Sequence, residues 1–137
     1  MPDLKPELSQ RSKYWIPKHR YYELKHYCLQ YPEWKKLYLR LGIEVSAHQD
    51  LEVKSSNPGN PTEQKAIIRA ECKKAMELVE RTCTDASAEL GNYIFEAVTT
   101  DRSYTWLRMV KNIPCGKDMY YDCYRRFFYI LSQRRGL

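Results

Sequence analysis

The chain has 137 residues, enough for one domain, and a hydrophobic content of 43% excludes wholesale disorder. No run approaches the ~18 apolar residues of a membrane span, and the N-terminus lacks the apolar stretch of a secretory signal. A cytoplasmic protein with no membrane partner is therefore expected. The net charge of +6 is uneven, because the last 36 residues hold eight Lys or Arg against two acids. This basic segment favours a polyanionic partner or, more simply, a solvated helix face.

Residues 1–45 are predicted to form an N-terminal helical hairpin. Apolar residues at helical intervals predict one helix before Pro32, which interrupts the pattern, and a second one ending near Gly42. The inward side chains are expected to be Tyr21, Leu24, Cys28, Trp34 and Leu37. This segment is rich in aromatic residues, so a homodimer contact is also expected there. Residues 46–60 are predicted to be a linker, because they are rich in Ser, Asn, Pro and Gly.

Residues 61–137 are predicted to form one helical domain. Asn60 as cap, Pro61 in the first turn and Glu63 two residues later predict the start of a long helix that runs to about Cys83. Its inner face is expected to contain Ile68, Cys72, Ala75, Val79 and Cys83. A shorter helix is predicted over 87–98. No strand-like alternation of useful length is present, so the predicted fold class is all-α, a helical bundle with a C-terminal helix-turn-helix.

The helix-turn-helix is placed at about residues 101–135. Residues 99–101 are expected to cap a short helix over 103–111, and Pro114 and Gly116 then force a turn before a longer helix over 117–133. Ile113 is expected to plug the space between the two helices. The predicted inward residues of the pair are Tyr104, Leu107, Val110, Met119, Cys123, Phe127, Ile130 and Leu131.

A short helix, a tight turn and a longer basic helix are typical of a motif that reads double-stranded DNA in the major groove. The expected outward residues of the second helix are Lys117, Asp118, Tyr121, Asp122 and Arg125. Lys117, Tyr121 and Arg125, spaced by four, are expected to form one reading stripe. Arg126, Arg134 and Arg135 follow and suit phosphate contacts. An ordinary helical hairpin ending a bundle is the simpler alternative.

Three segments resemble the RinA-like transcriptional regulators of phages and prophages of Gram-positive bacteria. They are residues 22–34, with an aromatic-Pro pair at Tyr31-Pro32, the helix start at residues 61–63, and residues 113–131 with the basic pair Arg125-Arg126. The last segment is similar to the promoter-reading region 4 of sigma factors. The resemblance implies control of phage late genes by promoter binding in a bacterial host cell.

Other functional classes are less well supported by the residues. The three histidines, His19, His26 and His48, do not have the spacing of adjacent metal ligands, and no Gly-rich phosphate loop is present. The five cysteines are expected to be reduced and mostly structural. No enzyme activity, cofactor or metal is therefore expected. The alternative function is a helical adaptor that binds RNA polymerase or another phage protein.

Overall fold

The computed structural model describes residues 13–51 and 60–136, and every regular element within them is an α-helix. The predicted all-α fold class is thereby confirmed. Six helices follow one another in the described ranges: α1 (Lys18–Leu29), α2 (Tyr31–Leu51), α3 (Pro61–Ala86), α4 (Gly91–Thr100), α5 (Tyr104–Lys111) and α6 (Lys117–Arg134). None of these helices is long and apolar enough to cross a membrane.

The described residues fall into two compact units that differ from the predicted domains. Unit 1 joins the residues up to Gln30 to those from Leu78 onward, and unit 2 contains Tyr31–Glu77. The predicted N-terminal hairpin of residues 1–45 is divided between the two units, since α1 belongs to unit 1 and α2 to unit 2. The physical reason is that the apolar face of α1 packs against α4 and α6.

Unit 1 is built around the face that α1 presents to the C-terminal helices. Tyr21, Leu24 and Cys28 are at most 1% exposed, so their burial is confirmed, but none of their surface is left for the expected dimer contact. At the edge of this core, the Arg20 guanidinium donates to the hydroxyl of Ser132 at 3.1 Å and to its carbonyl at 3.0 Å. These bonds tie α1 to the last turns of α6.

Unit 2 contains α2 and the first part of α3. Gly42 does not end α2, contrary to expectation, and a Cβ there would lie 2.8 Å from the Nε of Arg69. That Nε donates to the Tyr38 carbonyl at 3.2 Å, and the guanidinium lies 3.9 Å from the centroid of the Tyr38 ring. Gly42 therefore permits close approach of an arginine rather than helix termination. Trp34 and Leu37, expected to be core residues, are only half-buried.

The predicted linker is partly helical, because α2 continues to Leu51. Residues 52–59 of that linker lie outside the described residues. The predicted start of α3 is confirmed: Asn60 Oδ1 accepts a hydrogen bond of 2.8 Å from the Glu63 amide. Ile68 does not lie in the core as expected and is 47% exposed. Of the other residues predicted for this face, Cys72, Val79 and Cys83 are buried, whereas Ala75 is only half-buried.

The caps of α4 and α5 also differ from the prediction. Thr99 and Thr100 belong to α4, where each hydroxyl donates to the carbonyl four residues earlier. Asp101 then ends α4 in the left-handed region, with φ 56°. Ser103 is the residue that caps α5, since its hydroxyl accepts from the Trp106 amide at 3.1 Å.

Candidate nucleic-acid interface

Helices α5 and α6 are joined by a turn of five residues, 112–116, as the sequence predicts. Asn112 ends α5 in the left-handed region, with φ 56°, a conformation that asparagine tolerates better than most residues. Ile113 follows and is 5% exposed, so the predicted apolar plug is buried. The Tyr104 hydroxyl donates to the Cys115 carbonyl at 2.7 Å and connects the start of α5 to the turn.

The buried face of α6 is mainly aromatic. It contains Tyr120, Tyr121, Tyr124, Phe127, Phe128, Leu131 and Ser132. The hydroxyls of Tyr124 and Tyr21 share a buried hydrogen bond of 2.8 Å, so that each satisfies the other inside the core. The rings of Tyr124 and Phe128 meet edge to face with centroids 5.0 Å apart. This cluster holds α6 by one side and fixes which side faces solvent.

Tyr121 belongs to this cluster, and its expected outward orientation is wrong. Its ring is 8% exposed and lies 5.0 Å from that of Tyr120. Burial raises the pKa of the Tyr121 phenol, and the nearby Arg125 opposes that shift. Met119, expected inside, is instead 52% exposed. The inward face is rotated by one residue because Tyr120 and Tyr124, four apart, point into the core.

The exposed surface of α6 therefore differs from the predicted stripe of Lys117, Tyr121 and Arg125. Lys117 is exposed in the first turn, and Asp118, Asp122 and Arg126, spaced by four, are exposed along one side. We call these four residues the reading face. Lys117 and Arg126 make no ion pair among the described residues. The face thus combines two available cations with two carboxylates.

Arg125, predicted to face outward, is half-buried. Its Nε is shielded from solvent and has no hydrogen-bond partner in the described part of the chain. The expectation of a fully outward Arg125 is therefore only partly met. Against the rise that burial causes, its charge lowers the pKa of the buried Tyr121 phenol.

Arg134 and Arg135 were expected to contact phosphates, but both contact the protein's own surface. Arg134 donates to the Thr82 hydroxyl at 3.1 Å and forms an ion pair with Asp85 on α3. The Arg135 guanidinium lies 3.7 Å from the centroid of the Tyr27 ring. These contacts anchor the C-terminal end of α6. In the structure, Arg134 and Arg135 thus have partners in the protein itself in place of the predicted phosphates.

Three basic residues outside the predicted site lie on or next to α5. Arg102 lies 4.4 Å from the centroid of the Trp106 ring, and the Lys111 amine lies 5.8 Å from it. Arg108 is exposed, and no acid pairs with it among the described residues. Arg102 precedes the N-cap Ser103 and lies outside α5, so no helical spacing in the sequence indicates its contact with Trp106. The available positive charge is thus shared between α5 and α6.

Neither the cysteines nor the cavity of unit 1 suggests a chemical centre. In the described ranges no group of three His, Cys, Asp or Glu side chains is placed to hold a metal. Burial raises the pKa of Cys115, and Cys123 adds to the shift, so Cys115 is not an activated thiolate. A cavity of about 160 Å³ is lined by residues that include Lys25, Asp101 and Tyr124. It is smaller than the ~300–1,000 Å³ of ordinary ligand sites.

Comparison of the chain with family models, with curated protein sequences and with solved structures gave no match. The exposed residues of α5 and α6 are therefore the basis for any inference about function.

Proposed function

We propose that this protein is a sequence-specific DNA-binding regulator of phage or prophage genes, late genes in particular, and that it reads the major groove with α6. The observation that carries the proposal is the concentration of the whole excess positive charge in the last 36 residues. Part of that charge is exposed beside a turn that joins two helices. A basic surface on a helix pair of this length and order is what a helix-turn-helix requires.

The mixed charge of the reading face suits sequence recognition better than general adhesion to DNA. Lys117 and Arg126 can donate to guanine acceptors or to phosphates, while carboxylates such as Asp118 and Asp122 can accept from the amino group of cytosine. The two acids also repel the phosphate backbone, so binding to unrelated DNA is weakened. Discrimination then depends on the bases that the acids meet.

The test begins with selection of bound duplexes from a random DNA pool, followed by titration of the selected and a scrambled duplex at several salt concentrations. The affinity for the selected duplex should fall steeply as the salt concentration rises. Arg126→Ala should weaken binding to the selected duplex and reduce the salt slope by about one if it contacts a phosphate. Arg134→Ala is the matched control, because Arg134 is occupied by Thr82 and Asp85. It should bind as the parent does.

Asp122→Ala gives a second, opposite readout. Loss of a repelling carboxylate should strengthen binding to the scrambled duplex, while loss of a base contact should cost about 1–3 kcal/mol on the selected duplex. If no duplex is selected, or if Arg126→Ala and Arg134→Ala bind alike, α6 is not the reading element. A palindromic selected site would further indicate that two copies bind together.

A further inference from the structure

The outward face of α5 is apolar where a solvated helix is normally polar. In the described part of unit 1, three large apolar side chains are exposed, and two of them are neighbours on α5: Met109 at 80% and Val110 at 59%. Trp106 precedes them by three and four residues, so all three lie on one side of the helix. We call Trp106, Met109 and Val110 the docking face. A cluster of this kind on a soluble protein commonly marks an interaction site.

Two basic residues lie at the Trp106 end of the docking face. Arg102 stacks on the Trp106 ring, with its guanidinium 4.4 Å from the ring centroid, and the Lys111 amine lies 5.8 Å from the same centroid. The acid that approaches this group is Glu96, whose carboxylate lies 3.9 Å from the Lys111 amine. A partner that covers the apolar centre would therefore gain most from carboxylates at its rim.

The size and chemistry of the face select the kind of partner. The surface that two exposed aliphatic side chains and one partly exposed ring can bury is far smaller than the ~800 Å² that each partner buries in a stable protein interface. These side chains match one face of a short helix, whose apolar residues recur at intervals of three and four. Methionine adapts to such partners because its side chain is flexible. DNA phosphates would gain nothing from Met109 and Val110.

We propose that the docking face binds a short amphipathic helix of another protein, with apolar residues toward α5 and acidic residues toward Arg102 and Lys111. The site lies on a different helix from the reading face. The protein can therefore hold DNA through α6 and engage an acidic helix through α5. If the docking face binds no such helix, the proposed reading of DNA by α6 is unaffected.

The test is selection from a displayed library of helix-forming peptides on the immobilised full chain. Enriched peptides should carry apolar residues at helical intervals, flanked by Asp or Glu. Met109→Ser combined with Val110→Ser should weaken a selected, labelled peptide by about tenfold or more, as expected for the centre of an interface. Both positions are exposed, so the variant should fold, and circular dichroism checks this. Met119→Ser is the matched control because Met119 is an exposed methionine on α6, and it should bind the peptide as the parent does.

Charge reversal provides the second arm. Arg102→Glu should weaken the binding of acidic peptides and make the remaining binding less dependent on salt. The proposal is overturned if no peptide is enriched, if enriched peptides lack acids, or if the serine pair binds them as well as the parent. It is also overturned if the serine pair loses duplex affinity while peptides still bind it normally, because α5 would then face DNA. The duplex titration of the same variant separates this outcome from failure of the reading face.

Discussion

The ring of Tyr121 packs against Tyr104, Tyr120 and Tyr124, with centroids 5.0 to 6.5 Å apart. Tyr121→Ala would leave a cavity in this cluster, and we expect it to lower the free energy of unfolding by about 3–5 kcal/mol. Equilibrium urea denaturation measures the change. Lys117→Ala, on the exposed side of the same helix, should stay within about 0.5 kcal/mol of the parent. If Tyr121→Ala were as stable as the parent and had lost only sequence-specific DNA affinity, the outward orientation predicted for Tyr121 would be right.

Ile113 provides a second test at single-residue scale. Its side chain is 5% exposed in the turn between α5 and α6, so Ile113→Ala should lower the free energy of unfolding by about 2–5 kcal/mol. Val110→Ala, an aliphatic truncation on the exposed side of α5, is the control and should cost less than about 0.5 kcal/mol. An unchanged melting temperature for Ile113→Ala would show that the turn is not packed as described.

Single residues also mark where sequence reasoning stops. The burial of Ile113 could be predicted because an apolar side chain in a tight turn between two helices inserts between them. The environments of Arg134 and Arg135 could not be, since their partners Thr82, Asp85 and Tyr27 are far away in sequence. An arginine at a helix end has the same local pattern whether it contacts a phosphate or the protein itself.

The start of α3 allows a prediction at the scale of one helix. The Asn60 side chain accepts from the Glu63 amide, one of the four amides that a helix start leaves without a partner. Asn60→Ala should therefore cost about 1 kcal/mol of stability. Urea denaturation followed by circular dichroism measures this loss. Gln64→Ala, exposed in the same turn, is the control; an equal loss there would mean that the cap contributes nothing specific.

The bounds of most helices followed from caps and periodicity, but the orientation of α6 did not. Tyr120, Tyr121 and Tyr124 carry hydroxyls, so they suit either a wet surface or a core that supplies a hydrogen-bond partner. The partner for Tyr124 is Tyr21 on α1, which no local pattern on α6 reveals. Met119 also suits either side, because its side chain is apolar but flexible. With Tyr121 taken as outward and Met119 as inward, the predicted inward face was rotated by one residue.

Alkaline pH tests the core of unit 1 as a whole. Burial raises the pKa of the Cys83 thiol from 9.0 to about 12 and also raises the pKa of Cys28. Both thiols stay protonated in the folded state after they ionise in the unfolded chain. The contribution of Cys83 to stability is therefore complete below pH 9.0 and is lost as the pH rises toward about 12, and the contribution of Cys28 is also lost as the pH rises.

The expected decline is up to ~1.4 kcal/mol per pH unit for each thiol. Urea denaturation under reducing conditions, repeated at increasing pH above about 9, measures the slope. Cys83→Ala should make the slope shallower, whatever its effect on stability at neutral pH. The exposed Thr84→Ala is the control and should keep the slope of the parent. Equal slopes for the Cys83→Ala variant and the parent would show that this thiol is accessible to water.

Unit 1 combines a helix from the beginning of the chain with helices from its end, and this order affects how the protein is made. Translation adds roughly 5–20 residues per second, so α1 is complete seconds before α4 and α6 have been synthesised. During that interval Tyr21, Leu24 and Cys28 have none of the neighbours that bury them in the finished fold. The nascent chain therefore carries an uncovered apolar helix until α6 leaves the ribosome. In this period we expect the chain to be a client of chaperones that bind at the tunnel exit, and chains stalled before Lys117 to aggregate rather than fold.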